Sequence, residues 1–162
     1  EIKLDCSDDI SLAYAKIEDT KAPSALVELR LGVVGLYQEK KAQNLSNYTS
    51  HATGVLLRTY KSICKDIKVV GSDGLYSVIC DEKKRSIVGV NQEKDTQAND
   101  DGAYLLEASY INPDVVSKAV MGKDLTKDEL FYNSSRGSES DLEFGVKFFA
   151  TLIGKDELKV TS

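Results

Sequence analysis

The residues best able to do covalent chemistry are three cysteines, Cys6, Cys64 and Cys80, and one histidine, His51. A cysteine nucleophile needs a base or cation that stabilises its thiolate, and His51 is the only imidazole available. On one continuous helix, His51 and Cys64 would point about 220° apart around the axis. Cys80 lies in an apolar stretch that predicts a buried, inert thiol. A cysteine-dependent enzyme is therefore kept only as a second alternative.

Other catalytic and binding motifs are weak or missing. Zinc sites need closely spaced Cys and His ligands, and the sequence has no Cys-x-x-Cys pair. A serine triad would again depend on His51, and there is no Gly-x-Ser-x-Gly elbow. The segment DTQANDDG resembles a calcium loop in part, but Gln97 and Ala108 stand where its two anchoring carboxylates belong. We predict no catalytic residue, no cofactor and no metal ligand, and we leave enzyme status uncertain, leaning towards no.

The tightest basic cluster consists of Lys83, Lys84 and Arg85. In a functional interpretation it contacts an anion or an acidic partner at the tip of a β-hairpin. In the structural interpretation it is a charged turn that keeps one end of two apolar strands soluble. The sequence favours the structural interpretation, and the trio is retained as a candidate partner contact.

Three Asn-x-Ser/Thr motifs, at Asn44, Asn47 and Asn133, would be glycan acceptors in a secreted protein. They and the first residue, Glu1 in place of Met, are compatible with a secreted or surface-exposed protein. The odd number of cysteines is compatible with the cytoplasm. The odd number of cysteines also favours free, buried thiols, and one Cys64–Cys80 bridge is the alternative. Localisation therefore stays open.

Composition and charge narrow the classes of partner. The net charge is −5, and residues 95–162 carry 13 acidic against 7 basic side chains. Nucleic-acid binders usually present a dense Lys/Arg face, so we expect no nucleic-acid partner. The longest mostly apolar run, residues 25–37, is shorter than the roughly 20 residues that cross a bilayer, so we expect no membrane span. The chain is expected to be a single soluble, globular domain over residues 1–162.

Apolar spacing predicts helices in the first part of the chain. Ser7 is a suitable cap for a helix over residues 8–19. Pro23 followed by Ser24 is a suitable start for a second helix, which continues through a polar tail to residue 43. Leu56, Tyr60, Ile63 and Ile67 form one apolar stripe, which predicts a helix from residue 50 to about residue 66. The last two helices would form an antiparallel pair.

The remaining segments predict mostly strands. IKVV, LYSVIC and SIVGV, separated by turn residues, predict a β-meander, and residues 103–111 favour another strand. Asn112 and Pro113 begin a short helix, and Thr126 with Glu129 forms a capping box for another. The alternation of apolar residues over 142–148 predicts a long strand, with a C-terminal hairpin that turns at Gly154.

These elements predict an α+β fold, with a helical pair packed on an antiparallel sheet made of the central meander and the C-terminal hairpin. Because no catalytic constellation is evident, a non-enzymatic structural module for protein binding or self-assembly is the preferred function. The first alternative is a small-ligand-binding or sensing domain, with a pocket lined by Tyr60, Tyr76 and Tyr104.

Overall fold

A computed structural model of the chain describes residues 2–4, 9–19, 21–61 and 66–161. Within them it has nine strands: β1 Ile2–Leu4, β2 Ile10–Ile17, β3 Leu56–Tyr60, β4 Ile67–Ser72, β5 Leu75–Cys80, β6 Lys83–Ile87, β7 Asn91–Gln92, β8 Tyr104–Ile111 and β9 Val160–Thr161. The five α-helices are α1 Ala25–Val33, α2 Lys41–Thr53, α3 Pro113–Val120, α4 Glu129–Arg136 and α5 Leu142–Leu152. None of these helices is long and apolar enough to cross a membrane.

The strands form two sheets. One has the order β1-β4-β5-β6-β7, in which β1 runs parallel to β4 and the other neighbours are antiparallel. The second has the order β3-β8-β2-β9 and is antiparallel throughout. The predicted α+β class is therefore confirmed, and the predicted meander is present as β4, β5 and β6, although its third strand runs from Lys83 to Ile87 and not over residues 86–90.

The sheet of β2, β3, β8 and β9 has apolar residues buried on both faces. One core joins it to the meander sheet, and a second core joins it to α2 and α5. Helix α1 packs on the outside of α2 through a smaller cluster that contains Val27, Leu31 and Tyr48. The result is a layered arrangement in which this four-stranded sheet is covered on both sides.

Burial on both faces explains why the prediction of a helix over residues 8–19 is wrong. Ile10, Leu12 and Tyr14 belong to the core between the sheets, whereas Ala13 and Ile17 belong to the core beneath the helices. A strand covered on both faces is apolar throughout and loses the alternation that identifies it. The proposed cap, Ser7, lies outside the described residues.

The predicted helix over residues 50–66 is also wrong, because α2 ends at Thr53 and β3 begins at Leu56. Gly54 stops the helix with φ of 77°, in the left-handed region that favours glycine. The preceding helix is likewise divided, since α1 ends at Val33 and α2 begins at Lys41. A helical pair therefore exists, but its members are α1 and α2, and each is shorter than predicted.

Side-chain caps were better guides to helix starts. Ser24 accepts a hydrogen bond from the Val27 amide at 3.4 Å, and Asn112 accepts one from the Asp114 amide at 3.0 Å. Both helices begin at the next residue, as predicted. The helix predicted from the Thr126 capping box does form, but it begins at Glu129.

The C-terminal β-hairpin is the largest error, because residues 142–152 form helix α5. Asp141 caps this helix by accepting a hydrogen bond from the Phe144 amide at 3.0 Å. Val146, Phe149 and Ala150 are buried, whereas Phe144 is half exposed, so the buried face follows a helical period. Gly154 does mark a boundary, with φ of 72°, but it follows a helix, and β9 pairs with β2.

Helix α5 approaches the second sheet through a glycine, which gives a test of this packing. A Cβ at Gly145 would lie 2.7 Å from the Cβ of Val55. Gly145→Ala is therefore expected to lower the free energy of unfolding by roughly 1–3 kcal/mol. The matched control is Gly32→Ala in α1, where nothing lies within 4 Å, and it should stabilise by about 0.5–1 kcal/mol. Urea unfolding measures both, and equal effects would contradict the packing described.

Candidate functional site

Two charged residues lie opposite each other in the middle of the four-stranded sheet. Arg58 on β3 is paired in register with Glu107 on β8. They are 2% and 0% exposed, and both side chains belong to the face that packs on the meander sheet. Buried charges are rare unless they are paired or hydrogen-bonded, so their partners define the site.

Arg58 connects the two sheets. Its Nη1 donates hydrogen bonds to the backbone carbonyls of Ile87, at 3.2 Å, and of Asn91, and its Nη2 lies 3.4 Å from Oδ2 of Asp128. The guanidinium therefore holds the end of β6, the start of β7 and the segment before α4 against β3. This fork geometry is one that lysine cannot reproduce.

Glu107 accepts hydrogen bonds from two tyrosines. Tyr14 donates to its Oε2 at 2.9 Å and Tyr60 at 3.0 Å, and the Tyr60 hydroxyl also lies 2.8 Å from that of Ser86. The other carboxyl oxygen, Oε1, is buried without a hydrogen-bond partner among the described residues. This carboxyl is thus held by donors from one side only.

Burial dominates the protonation of this cluster. It raises the pKa of Glu107, although Arg58 and the two tyrosine hydrogen bonds act in the opposite direction. Burial and the nearby Glu107 carboxyl also raise the pKa of Tyr14 and of Tyr60 well above the ordinary value. The tyrosines consequently stay protonated at neutral pH and serve as donors to Glu107.

A polar cleft, called here the β3 cleft, runs beside this cluster between α2 and α4. It consists of two neighbouring cavities of about 270 and 280 Å³, which share Leu36, Asn47 and Glu129 as lining residues. Arg58 and Asp128 form part of the wall of the first, and His51 and Arg136 of the second. Side-chain amides dominate the rest of the polar lining: Gln38, Gln43, Gln92, Gln97 and Asn133.

Chemically, the β3 cleft is suited to hydrogen bonding with a polar ligand. Amides both donate and accept, and Arg136 adds a positive charge at one end. Over the residues that the structure describes, no group of three or more His, Cys, Asp or Glu side chains could hold a metal ion. The cleft thus offers recognition of polar groups.

The predicted basic cluster lies outside the β3 cleft. The turn before it consists of Asp81 and Glu82, both with positive φ, so Lys83, Lys84 and Arg85 begin strand β6. Lys83 and Lys84 are exposed and Arg85 is partly buried. Since successive strand residues point to opposite faces, the three charges do not form one patch. Their role as a partner contact stays a prediction.

The three predicted glycosylation sites are all helical. Asn44 is buried on α2, and its amide exchanges hydrogen bonds with the backbone of Gln38 at 2.7 and 2.8 Å. Asn47 donates to the carbonyl of Leu36 at 3.0 Å, whereas Asn133 is exposed on α4. At the first two positions, the nitrogen that would carry a glycan is already engaged. Glycosylation stays a prediction.

The residues of the alternative hypotheses are not brought together. Tyr60 and Tyr76 belong to the core between the sheets, whereas Tyr104 belongs to the core beneath the helices, so they do not line one pocket. His51 is exposed at the end of α2. Cys80 is buried and disulfide-bonded, which is contrary to the expectation of three free thiols. Cys6 and Cys64 lie outside the described residues.

Comparison with known proteins finds several curated relatives that share one name. No protein-family model matches the chain. It is 35% identical over 143 residues to the phenylalanine–tRNA ligase beta subunit of Sulfurimonas denitrificans, which covers 79% of this chain and 18% of that protein. The protein of the same name from Wolinella succinogenes is 30% identical over 165 residues, which covers 91% of this chain and 21% of that protein. The one from Helicobacter hepaticus is 31% identical over 119 residues, covering 65% and 15% respectively.

The chain spans about a fifth, or less, of the length of these relatives. Their names overturn the functional prediction of a structural or self-assembling module, together with its two alternatives. The exclusion of nucleic acid as a partner is wrong for the same reason, because these relatives are named as ligases of tRNA. Summed charge is a weak criterion for such an exclusion, because contacts to a nucleic acid are made by individual side chains and backbone groups.

Sequence reasoning missed Arg58 and Glu107, the centre of the buried cluster. The predicted helix over residues 50–66 leaves Arg58 outside its apolar stripe, whereas the structure places Arg58 on strand β3. The available signal was one charged residue in each of two apolar runs, LLRTY and YLLEASYI. Had both been interpreted as buried strands, each charge would have required a partner, and the other charge was the obvious choice.

Proposed function

We propose that residues 1–162 form one domain of the beta subunit of a bacterial phenylalanine–tRNA ligase and take part in attaching phenylalanine to tRNA. The carrying observation is the similarity of 30–35% over 143–165 residues to proteins of that name, which extends along most of this chain. The proposed partners are tRNA and the second kind of subunit that a beta subunit implies. The proposal also places the chain in the cytoplasm, where tRNA is charged.

The β3 cleft is the proposed point of contact with tRNA. Asn and Gln side chains hydrogen-bond to base edges and to ribose hydroxyls, and six such side chains line the cleft. Arg136 at one end supplies a positive charge for a phosphate. The buried Arg58 supports this role indirectly, because it holds the cleft's wall in place through three contacts.

The direct test is a charging assay on the native protein. The protein that carries this sequence would be purified from its source cells, and its attachment of each of the twenty amino acids to total tRNA would be measured. We expect a second subunit to copurify and phenylalanine to be the amino acid attached. A protein that copurifies with no other subunit and charges tRNA with no amino acid would refute the proposal.

Arg136→Glu in the native protein tests the cleft. Removal of one phosphate contact is expected to weaken tRNA binding and to reduce the slope of log affinity against log salt by about 1. Lys118→Glu is the matched control, because it makes the same charge change at an exposed helical residue outside the cleft. Equal losses in both variants would show that only overall charge matters, and would remove the cleft from the proposal.

A further inference from the structure

Strand β2 has one edge that is paired along only part of its length. On one side it pairs with β8 at every residue from Ile10 to Ile17. On the other side it pairs with β9 only at Tyr14 and Ala15. The stretch from Ile10 to Ala13 therefore has no strand beside it among the described residues. Unpaired strand edges present backbone donors and acceptors that can pair with another segment.

A groove of about 630 Å³ lies along this open edge. Ser11, Leu12 and Ala13 form one side of it, and Leu142 and Val146 of helix α5 form the other. Two charged residues of α5, Glu143 and Lys147, also line the groove and form an exposed ion pair at 2.6 Å. The groove thus combines free backbone groups with apolar side chains, which is the combination that strand addition uses.

Strand β9 points straight into the groove. Val160 lies opposite Ala15 and Thr161 opposite Tyr14, in an antiparallel register. A strand continued in this register would advance by about 3.4 Å per residue and would bring four further positions opposite Ala13, Leu12, Ser11 and Ile10. Leu158 and Val160 line the same groove, so the chain already enters it at one end. The direction and register of an occupant are therefore set.

We propose that the groove is filled by the polypeptide that follows Thr161 in the longer protein, which extends β9 along the open edge of β2. This rests on the proposed function, because the relatives that suggest it are several times longer than the chain. Residues directly opposite each other share one face of a sheet. Ala13 faces the helices, so the position opposite Ser11 also faces α5 and takes an apolar side chain next to Val146.

Hydrogen exchange tests this extension. Amide exchange would be measured, in the 162-residue chain and in the longer protein, for those residues of the stretch 10–13 whose N–H groups point away from β8. We expect it to be about tenfold slower, or more, in the longer protein, because amides in a formed ladder exchange only when the ladder opens. Equal exchange rates in the two proteins would overturn the proposal.

A proline variant identifies the segment responsible. Val160→Pro removes an amide from β9 and should return the stretch 10–13 of the longer protein to fast exchange, with β8 still protected. Val33→Ala, at a residue that is 79% exposed on α1, should change nothing. Slow exchange that survives Val160→Pro would overturn the proposal. So would protection in the 162-residue chain that grows with its concentration, because a second copy would then fill the groove.

The charging assay on the same preparation separates the two proposals. Phenylalanine charging without protection of the stretch 10–13 would overturn the strand extension alone. Protection without charging would refute the proposed function and leave the extension as a property of the longer chain.

Discussion

Replacing Arg58 with alanine is expected to lower the free energy of unfolding by about 3–5 kcal/mol. The guanidinium is almost fully buried and donates to the carbonyls of Ile87 and Asn91, and it also pairs with Asp128. Truncation leaves these acceptors and the neighbouring Glu107 without their donor or counter-charge, and each unsatisfied buried group carries a desolvation cost. Urea unfolding at neutral pH measures the change.

Three controls separate this effect from simple loss of charge. Lys16→Ala breaks an exposed ion pair with Glu18 and should change the free energy of unfolding far less than Arg58→Ala does. Arg58→Lys keeps the positive charge but lacks the forked guanidinium. We therefore expect its loss of unfolding free energy to be larger than that of Lys16→Ala and smaller than that of Arg58→Ala. The double variant Arg58→Met with Glu107→Leu should lose less than the sum of its single changes. A loss below about 1 kcal/mol for Arg58→Ala would contradict the described network.

Glu107→Gln is expected to change how stability depends on pH. Burial raises the pKa of Glu107 above the ordinary value of 4.5, so the folded protein binds this proton more tightly than the unfolded chain does. The stabilisation that protonated Glu107 gives the folded protein is therefore complete below pH 4.5 and is lost as pH rises through the raised pKa. Glutamine has no proton to lose, so the variant should gain stability relative to the natural protein as pH increases.

The measurement is the unfolding free energy of both proteins at several values between pH 4.5 and pH 8. The difference, natural protein minus variant, should decrease with pH, at no more than about 1.4 kcal/mol per pH unit because one proton is involved. Tyr14→Phe serves as a control, since it removes one donor to Glu107 and should raise the pKa of the carboxyl further. A difference that increases with pH would show that Arg58 and the tyrosines outweigh burial.

The replacement of Arg58 also bears on the proposed function. Arg58 forms part of the wall of the β3 cleft and ties β6 and β7 to β3. If the cleft contacts tRNA, Arg58→Met in the native protein should weaken tRNA binding more than Lys16→Ala does, at a temperature where both remain folded. The comparison connects the stability of the buried cluster to the geometry of the proposed contact.

Local sequence chemistry predicted several features correctly. The caps at Ser24 and Asn112 act within three residues of themselves, so they need no information from the rest of the chain. The meander was equally local, because β-branched strands are separated by turns such as the one at Gly74, which has φ of 73°. Gly154 was correctly identified as a boundary for the same reason.

The wrong assignments share a different cause. Residues 8–19 were predicted as a helix and residues 142–148 as a strand, because several apolar residues in a row fit both periods. What separates the alternatives is which side chains are covered, and that depends on distant segments. Phe144 alternates correctly for a strand but remains half exposed, because the surface beneath α5 is contacted by Val146 and Phe149.

The sequence by itself determined the α+β class, the central meander, and the first residues of α1 and α3, because turn and cap preferences are properties of neighbouring residues. Only the tertiary structure decided that β2 and β8 lie buried between a second sheet and a layer of helices. It also decided that Arg58 meets Glu107 and that the β3 cleft forms beside them, because register between distant strands depends on the packing of the whole sheet.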